Sequence, residues 1–220
     1  MRPLAELSVA HIRGLFFDID DTLTTHGALT AEAYAALERW KSAGKLAVAI
    51  TGRPAGWCDH IARMWPVDAV VGENGAFYFH YDRAQRRLEK HFLCDETART
   101  ANRSLLAAVT ERILAAVPGC ALASDQLYRE TDLAIDYCED VPALSLQDAE
   151  CIAALMRLAG MTARISSIHV NGWFGEYDKL GMTKILARER LGLDLDSAKE
   201  RFAYVGDSPN DAPMFAYFPN

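Results

Sequence analysis

The sequence predicts an α/β protein: a doubly wound parallel-sheet core interrupted by an inserted α+β segment. Three observations lead there. Short apolar runs at 15–19, 46–50 and 202–205 each end in a polar or acidic cluster, helix-like stretches separate them, and the rhythm changes between about 83 and 172 before it returns. A chain of 220 residues that is half apolar buries a substantial core, in one large domain or two modest ones.

The first run, "GLFFDIDDTLTT" at 14–25, has the length and aromatic content of a buried strand in Leu15, Phe16, Phe17 and Ile19, yet Asp18, Asp20 and Asp21 crowd its carboxyl end. Carboxylates repel one another and resist burial, so a compensating positive charge is expected there. A helix follows from about Thr30, a possible N-cap, to Ala43, with Gly44 as its stop. Leu46 to Ile50 form a second buried strand ending at Thr51-Gly52-Arg53, and Pro54 is placed to start the next helix. Strands are expected at Ala69 to Val71 and Ala76 to Tyr81, separated by the turn-prone "GENG". Ligands bind such sheets at the carboxyl ends of the strands, where Asp18 and Thr51 both fall.

After Asp82 the pattern becomes a long helix over Glu96 to Val117, strands with a turn in "CALASDQLYRETDLAIDY", a helix capped by Ser145, and an alternating strand in "TARISSIHVNGWF". From Lys179 the first rhythm resumes, with a helix to Leu191 and the strand Phe202 to Val205 before "GDSPNDAPMF". The expected division is therefore a core of 1–82 and 173–220 with an insertion of 83–172. "FYFHY" and Trp173-Phe174 read as packing residues.

The balance of 23 basic against 30 acidic residues argues against a nucleic-acid surface or an anionic membrane. A small soluble partner fits better. The amino-terminal "MRPLAELSVAHIRG" carries Arg2, Glu6, His11 and Arg13 and lacks the apolar core of a signal peptide, and no later stretch reaches 18 apolar residues, so a cytoplasmic protein is expected. Cys58, Cys94, Cys120, Cys138 and Cys151 never form C-x-x-C and are expected as buried free thiols. His169 reads as a structural histidine, so only the carboxylates offer a metal site.

Asp18 and Asp20 lie two apart, and Asp207 and Asp211 follow another strand of the same sheet. Such carboxylates suit Mg²⁺, a hard cation that accepts a few protein oxygens and keeps waters and phosphate oxygens as the rest. A carboxylate can itself attack phosphorus. Any one of these clusters alone reads equally well as a solvated turn; their joint occurrence at three strand ends does not.

The set resembles the haloacid dehalogenase superfamily of phosphatases, whose Asp-x-Asp-x-Thr motif is matched by Asp18, Asp20 and Thr22, second motif by Thr51, and Gly-Asp-x-x-x-Asp by Gly206, Asp207 and Asp211. "TGR" and "ENGA", followed by an insertion of this size, resemble the subgroup containing sucrose-phosphatase, mannosylglycerate-phosphate phosphatase and phosphomannomutase, in which the insertion is a specificity cap. The resemblance implies Asp18 as nucleophile, Asp20 as general acid and base, Thr51 holding the phosphoryl group, and a stabilising lysine. It also implies Mg²⁺ on Asp18, the Asp20 carbonyl and Asp207, with Asp211 orienting. The substrate implied is a small phosphorylated metabolite, a sugar or polyol phosphate. Candidate contacts to it are Gly52, Arg53 and Asn74 at the strand ends and Arg129, Asp132 and Asn171 in the insertion.

"EYDKLGMTKIL" offers two lysines. Family lysines begin the helix before the final strand, which is the place of Lys179; Met182, Ile185 and Leu186 share one helical face, with Lys184 nearly opposite. Spacing to Gly206 favours Lys184 instead, and helix geometry decides for Lys179. Two departures stand out: Asp21 occupies a position that is often Gly, and only Ala212 to Asn220 follow the last motif, where relatives continue with another strand and helix. A truncated chain is one expectation from this. A phosphomutase, or a non-catalytic relic that binds phosphorylated ligands or a protein, are the rival readings.

Overall fold

A computed structural model describes residues 10–220, and residues 1–9, which hold most of the amino-terminal segment discussed above, lie outside it. The strands of the first sheet are β1 (Gly14–Phe17), β2 (Leu46–Ile50), β3 (Ala69–Gly72), β4 (Phe77–Asp82), β5 (Arg87–Phe92) and β10 (Phe202–Val205), in the order β10-β1-β2-β3-β4-β5. β10, β1, β2 and β3 run parallel.

Alternation sends successive side chains to opposite faces of this sheet. Phe16, Val48, Ile50 and Val71 pack against Met182 and Leu186 of α5 (Lys179–Arg190), Leu195 of α6 (Leu195–Ala198) and Met214 of α7 (Ala212–Tyr217). Phe17, Ala47, Ala49 and Val70 pack on the other face against Leu37 of α1 (Ala31–Ser42) and Cys58, Ile61 and Ala62 of α2 (Ala55–Met64). Thr30 caps α1 by accepting the Ala33 amide at 3.2 Å, and α2 starts immediately after Pro54.

One expected boundary is corrected here and one strand is added. The segment after "GENG" is an antiparallel hairpin partner of β3, and a sixth strand follows it: β5 pairs with β4 in register from Phe77↔Phe92 to Asp82↔Arg87. The junction expected at 82 therefore falls inside a core hairpin. The sequence "RLEKHF" is too charged to read as a buried strand, and it forms an edge strand, where charge is tolerated.

The inserted segment has its own sheet, β6 (Ala121–Leu122), β7 (Leu133–Asp136), β9 (His169–Trp173) and β8 (Thr162–Ile165), all neighbours antiparallel. The run expected as one alternating strand is a hairpin, because Ser166 turns the chain by accepting the His169 amide on its hydroxyl at 3.0 Å. One face carries α3 (Glu96–Ala116) and α4 (Leu146–Leu158), with Ile113, Ile152 and Met156 packed on Leu133, Ile135 and Val170. A capping box of Ser145 and Asp148 starts α4. We call this unit the cap. All five cysteines are free and only Cys58 is buried, so the expectation of buried thiols holds at one position; the others lie nearer the surface, with Cys151 exposed on α4. Among the described residues no helix is long and apolar enough to cross a membrane.

Ile152 has no exposed surface at the centre of the cap core. Ile152→Ala should cost about 2–5 kcal/mol, measured as a lower urea midpoint at unchanged slope.

Candidate active site

The carboxyl ends of β10, β1, β2 and β3 converge because their parallel ladders continue past the strands: the Asp18 amide donates to the Val205 carbonyl at 2.9 Å and the Thr51 amide to the Val71 carbonyl at 2.9 Å. Asp18, Thr51, Asn74 and Asp207 are thereby placed along one edge.

At its centre lies Lys179, 2% exposed, whose Nζ donates to Asp18 Oδ1 at 2.9 Å and Asp211 Oδ1 at 2.7 Å. It is the first residue of α5, with Asp178 capping the helix through the Gly181 amide at 2.7 Å. Burial opposes its charge, and Asp18 and Asp211 override burial to hold the ammonium above the ordinary lysine value. Lys184 points elsewhere: it donates to Asp196 at 2.7 Å at the surface and stacks over Tyr217.

Asp211 is fully engaged. Its Oδ1 also accepts from Tyr204 at 2.5 Å, and its Oδ2 accepts the amides of Asp207 and Ser208 at 3.2 and 3.3 Å. Among the described residues no donor reaches Asp18 Oδ2, and the Asp207 carboxylate accepts only a long contact from Thr22 Oγ1 at 3.4 Å. Oxygens of Asp18, Asp207 and Asp211 lie within 4.8 Å of one another. Burial pushes the Asp18 carboxyl up to about 7 against the pull of Lys179, with Asp211 adding to the rise. Hard oxygen donors, crowded and short of positive charge, fit a divalent cation such as Mg²⁺. The carboxylate of Asp20 stands apart from this group: it is held by Arg53, with Nε at 3.1 and 3.0 Å from its two oxygens and Nη2 at 2.8 Å.

Thr51 is wholly buried, and its hydroxyl accepts the Arg53 amide at 3.0 Å. Asn74 sits in the left-handed region at φ 56, its amide on the Thr51 carbonyl at 3.1 Å and its Oδ1 receiving Asn210 at 3.2 Å. Its Nδ2 is buried without an acceptor, and a Cβ on Gly52 would lie 3.2 Å from it. Gly52 therefore keeps the space beside an unused donor open.

The cap roofs this edge, and Ser167, Ile168, His169 and Asn171 face Asp18, Asp20 and Arg53 across a narrow cleft. The cap residues expected to meet substrate are already engaged. Arg129, on the cap's turn before β7, donates to Asp125 at 3.0 and 3.2 Å, to Asp132 at 3.0 and 3.2 Å, and to the core's Gly52 carbonyl at 3.0 Å. Asn171 donates to Asp132 at 3.1 Å.

Two acids that sequence reasoning missed join cap to core. Glu73 is fully buried, accepts the Ala55 amide of α2 at 2.9 Å, and receives the cap amides of Glu130 and Thr131 at 2.9 and 2.7 Å as well as the Thr131 hydroxyl. Glu139 accepts from Arg53 Nη2 at 2.9 Å. The His169 ring and Arg53 hold its carboxyl down at about 2. Within "ENG" Glu73 was legible only as part of a turn, and nothing local in the sequence marks Glu139.

A sheet edge that gathers aspartates around one buried lysine beneath a separate cap defines a capped α/β hydrolase. The family model for haloacid dehalogenase-like hydrolases matches residues 12–218, and the chain belongs to that family. Solved structures carry the same fold. A Thermoplasma acidophilum protein, 0175, superposes with a TM-score of 0.67 at 19% identity, over 93% of this chain and 80% of that one. Sucrose-phosphatase from Synechocystis, solved with sucrose and phosphate, gives 0.60 at 16% identity, over 92% and 78%. A sugar phosphatase of haloacid dehalogenase subclass IIB gives 0.59 at 16% identity, over 93% and 84%. No curated protein matches the sequence.

Gly75 fixes where Lys179 begins its helix, for a Cβ there would lie 2.1 Å from the Asp178 carbonyl oxygen, and its φ of +107 is itself closed to L side chains. Gly75→Ala should destabilise the protein by more than about 1 kcal/mol in thermal unfolding. Because it displaces Lys179, it should also depress phosphate release from a phosphate ester further than that loss of folded protein explains.

Proposed function

We propose that the protein is a Mg²⁺-dependent phosphatase that hydrolyses a small phosphate monoester, of a sugar or polyol, through an aspartyl phosphate. The observation that carries this reading is the division of labour around Lys179: the lysine fixes Asp18 Oδ1 and leaves Oδ2 free, while Asp211 is consumed in orienting it. Sugar phosphatases among the structural neighbours support the substrate class.

Asp18 attacks phosphorus, forming the acyl phosphate bond as the bond to the leaving oxygen breaks, and Asp20 gives that oxygen its proton. Water then attacks the same phosphorus, the bond to Asp18 breaks, and Asp20 takes the water's proton, restoring the Asp18 carboxylate and the protonated Asp20 and releasing phosphate. Lys179, the Thr51 hydroxyl and Asn74 Nδ2 are the donors placed to hold the transferring group. Asp18 and Asp207 would hold Mg²⁺, which when bound supplies charge against the phosphoryl oxygens. The cap excludes bulk water and selects the leaving group.

Asp18→Asn should lower phosphate release from sugar phosphates by about 10³-fold or more; half of the activity remaining would refute the assignment. Lys179→Ala should cost about 10²–10³-fold, with Lys184→Ala near wild type, in parallel steady-state assays. EDTA should abolish turnover and added Mg²⁺ restore it, whereas unchanged turnover in EDTA excludes the metal. A mutase would return the phosphoryl group to a sugar instead of releasing inorganic phosphate.

A further inference from the structure

We infer that Glu139 is a positioning residue, through which the docked cap sets the carboxylate of Asp20 by way of Arg53. The inference rests on the reading of Asp20 as the proton donor and acceptor.

Asp20 stands on a loop, and the contacts that fix its carboxylate come from Arg53, which grips both oxygens. Arg53 must therefore itself be fixed. From the core its guanidinium has the face of Trp57, 4.3 Å away. Its charged partners besides Asp20 belong to the cap: Glu139 at 2.9 Å on the same Nη2 that holds Asp20, and Asp125 at 3.6 Å from Nη1. With the cap lifted, the guanidinium would lose both partners in one movement and keep only a stacking contact and Asp20.

Glu139 is built for this contact. Asp136, 1% exposed at the end of β7, accepts the successive amides of Cys138, Glu139 and Asp140 at 2.9, 2.8 and 2.8 Å, which fixes the backbone of the loop. At the tip of the side chain, Oε2 lies 2.9 Å from Nε2 of His169, a buried residue of β9, as a close contact without hydrogen-bond alignment. An incidental surface ion pair has no such caged backbone. Docking of the cap does not depend on Glu139, since Glu73 and Arg129 each bridge cap and core elsewhere. Glu139 therefore acts on orientation, and proton transfer is set in the arrangement that excludes bulk water.

The readout is the leaving group. Glycerol phosphate expels an alkoxide and needs a proton in flight; p-nitrophenyl phosphate expels a stable phenolate and does not. In kcat/KM, which reports steps through leaving-group release, Glu139→Ala should lose about 10²-fold on glycerol phosphate and less than about threefold on p-nitrophenyl phosphate. Glu139→Gln keeps an oxygen for Nη2 and should recover most of the loss. Asp20→Asn, run alongside, should show the same split. Equal losses of Glu139→Ala on both esters, or no loss on either, while Asp20→Asn splits them, overturns the role of Glu139 alone. No split in Asp20→Asn overturns the reading of Asp20, and the inference with it.

Discussion

An ammonium group sealed between two carboxylates is the contact on which the rest of the site depends. Removing Lys179, Asp18 and Asp211 from water costs several kcal/mol for each ion, and only mutual neutralisation offsets it. Each partner is delivered by a different element: Asp18 by β1, Asp211 by the turn before α7, Lys179 by the first turn of α5. Those elements cannot shift independently without exposing an unpaired buried charge. The pairing thus enforces the convergence of strand ends that parallel topology makes available, and it spares one oxygen of Asp18 for chemistry.

The cap is held to the core in a different way. Glu73, in the left-handed region at φ 43 next to Asn74 at φ 56, gathers two cap amides and a hydroxyl, and Arg129 reaches the Gly52 carbonyl from the cap side. Two adjacent non-glycine residues in that region cost free energy that surrounding contacts must offset. The four donors on Glu73 do so, and three of them, the Glu130 and Thr131 amides and the Thr131 hydroxyl, exist only with the cap in place. These are polar contacts of a kind water can replace, unlike the apolar clusters inside each unit. Hydrogen bonds exchanged for water contribute modestly each, so the two units are joined less firmly than either is packed within itself.

Local order was legible in the sequence where one periodicity and one cap coincide. β2 and β10 have the bounds read from the apolar runs, α1 is capped by Thr30, and the face of Lys179 followed from the spacing of Met182 and Leu186. β5 was hidden because its edge position admits Arg87, Glu89 and Lys90 in place of apolar residues. The acids that join cap to core were hidden for another reason: Arg53 and Glu139 are 86 residues apart, and Glu73 and Thr131 are 58 apart. Pairing at that range leaves no periodic trace. Arg129 shows the same limit from the other side, since a charged residue before a strand reads as solvated, yet Asp125 four residues earlier and Asp132 three later bury it completely.

Charge accounting along the sheet edge explains why a cluster so acidic is stable next to an anionic substrate class. Asp18, Asp20, Asp207 and Asp211 face two cations, Lys179 and Arg53. Arg53 is shared with Glu139 and the charge of Lys179 is divided between Asp18 and Asp211, which leaves Asp207, the exposed member, without a cation of its own. The deficit of two elementary charges falls on the side where Asp18 Oδ2 and Asp207 stand together. One divalent cation placed there would close it, and a phosphoryl group arriving at Asp18 would then meet positive charge on both flanks, the cation on one and Lys179 on the other. Asp20 is not among the clustered carboxylates; Arg53 holds it beside the cleft beneath the cap. In the proposed mechanism, acid and base work would thereby be separated from metal binding although the two aspartates are two residues apart.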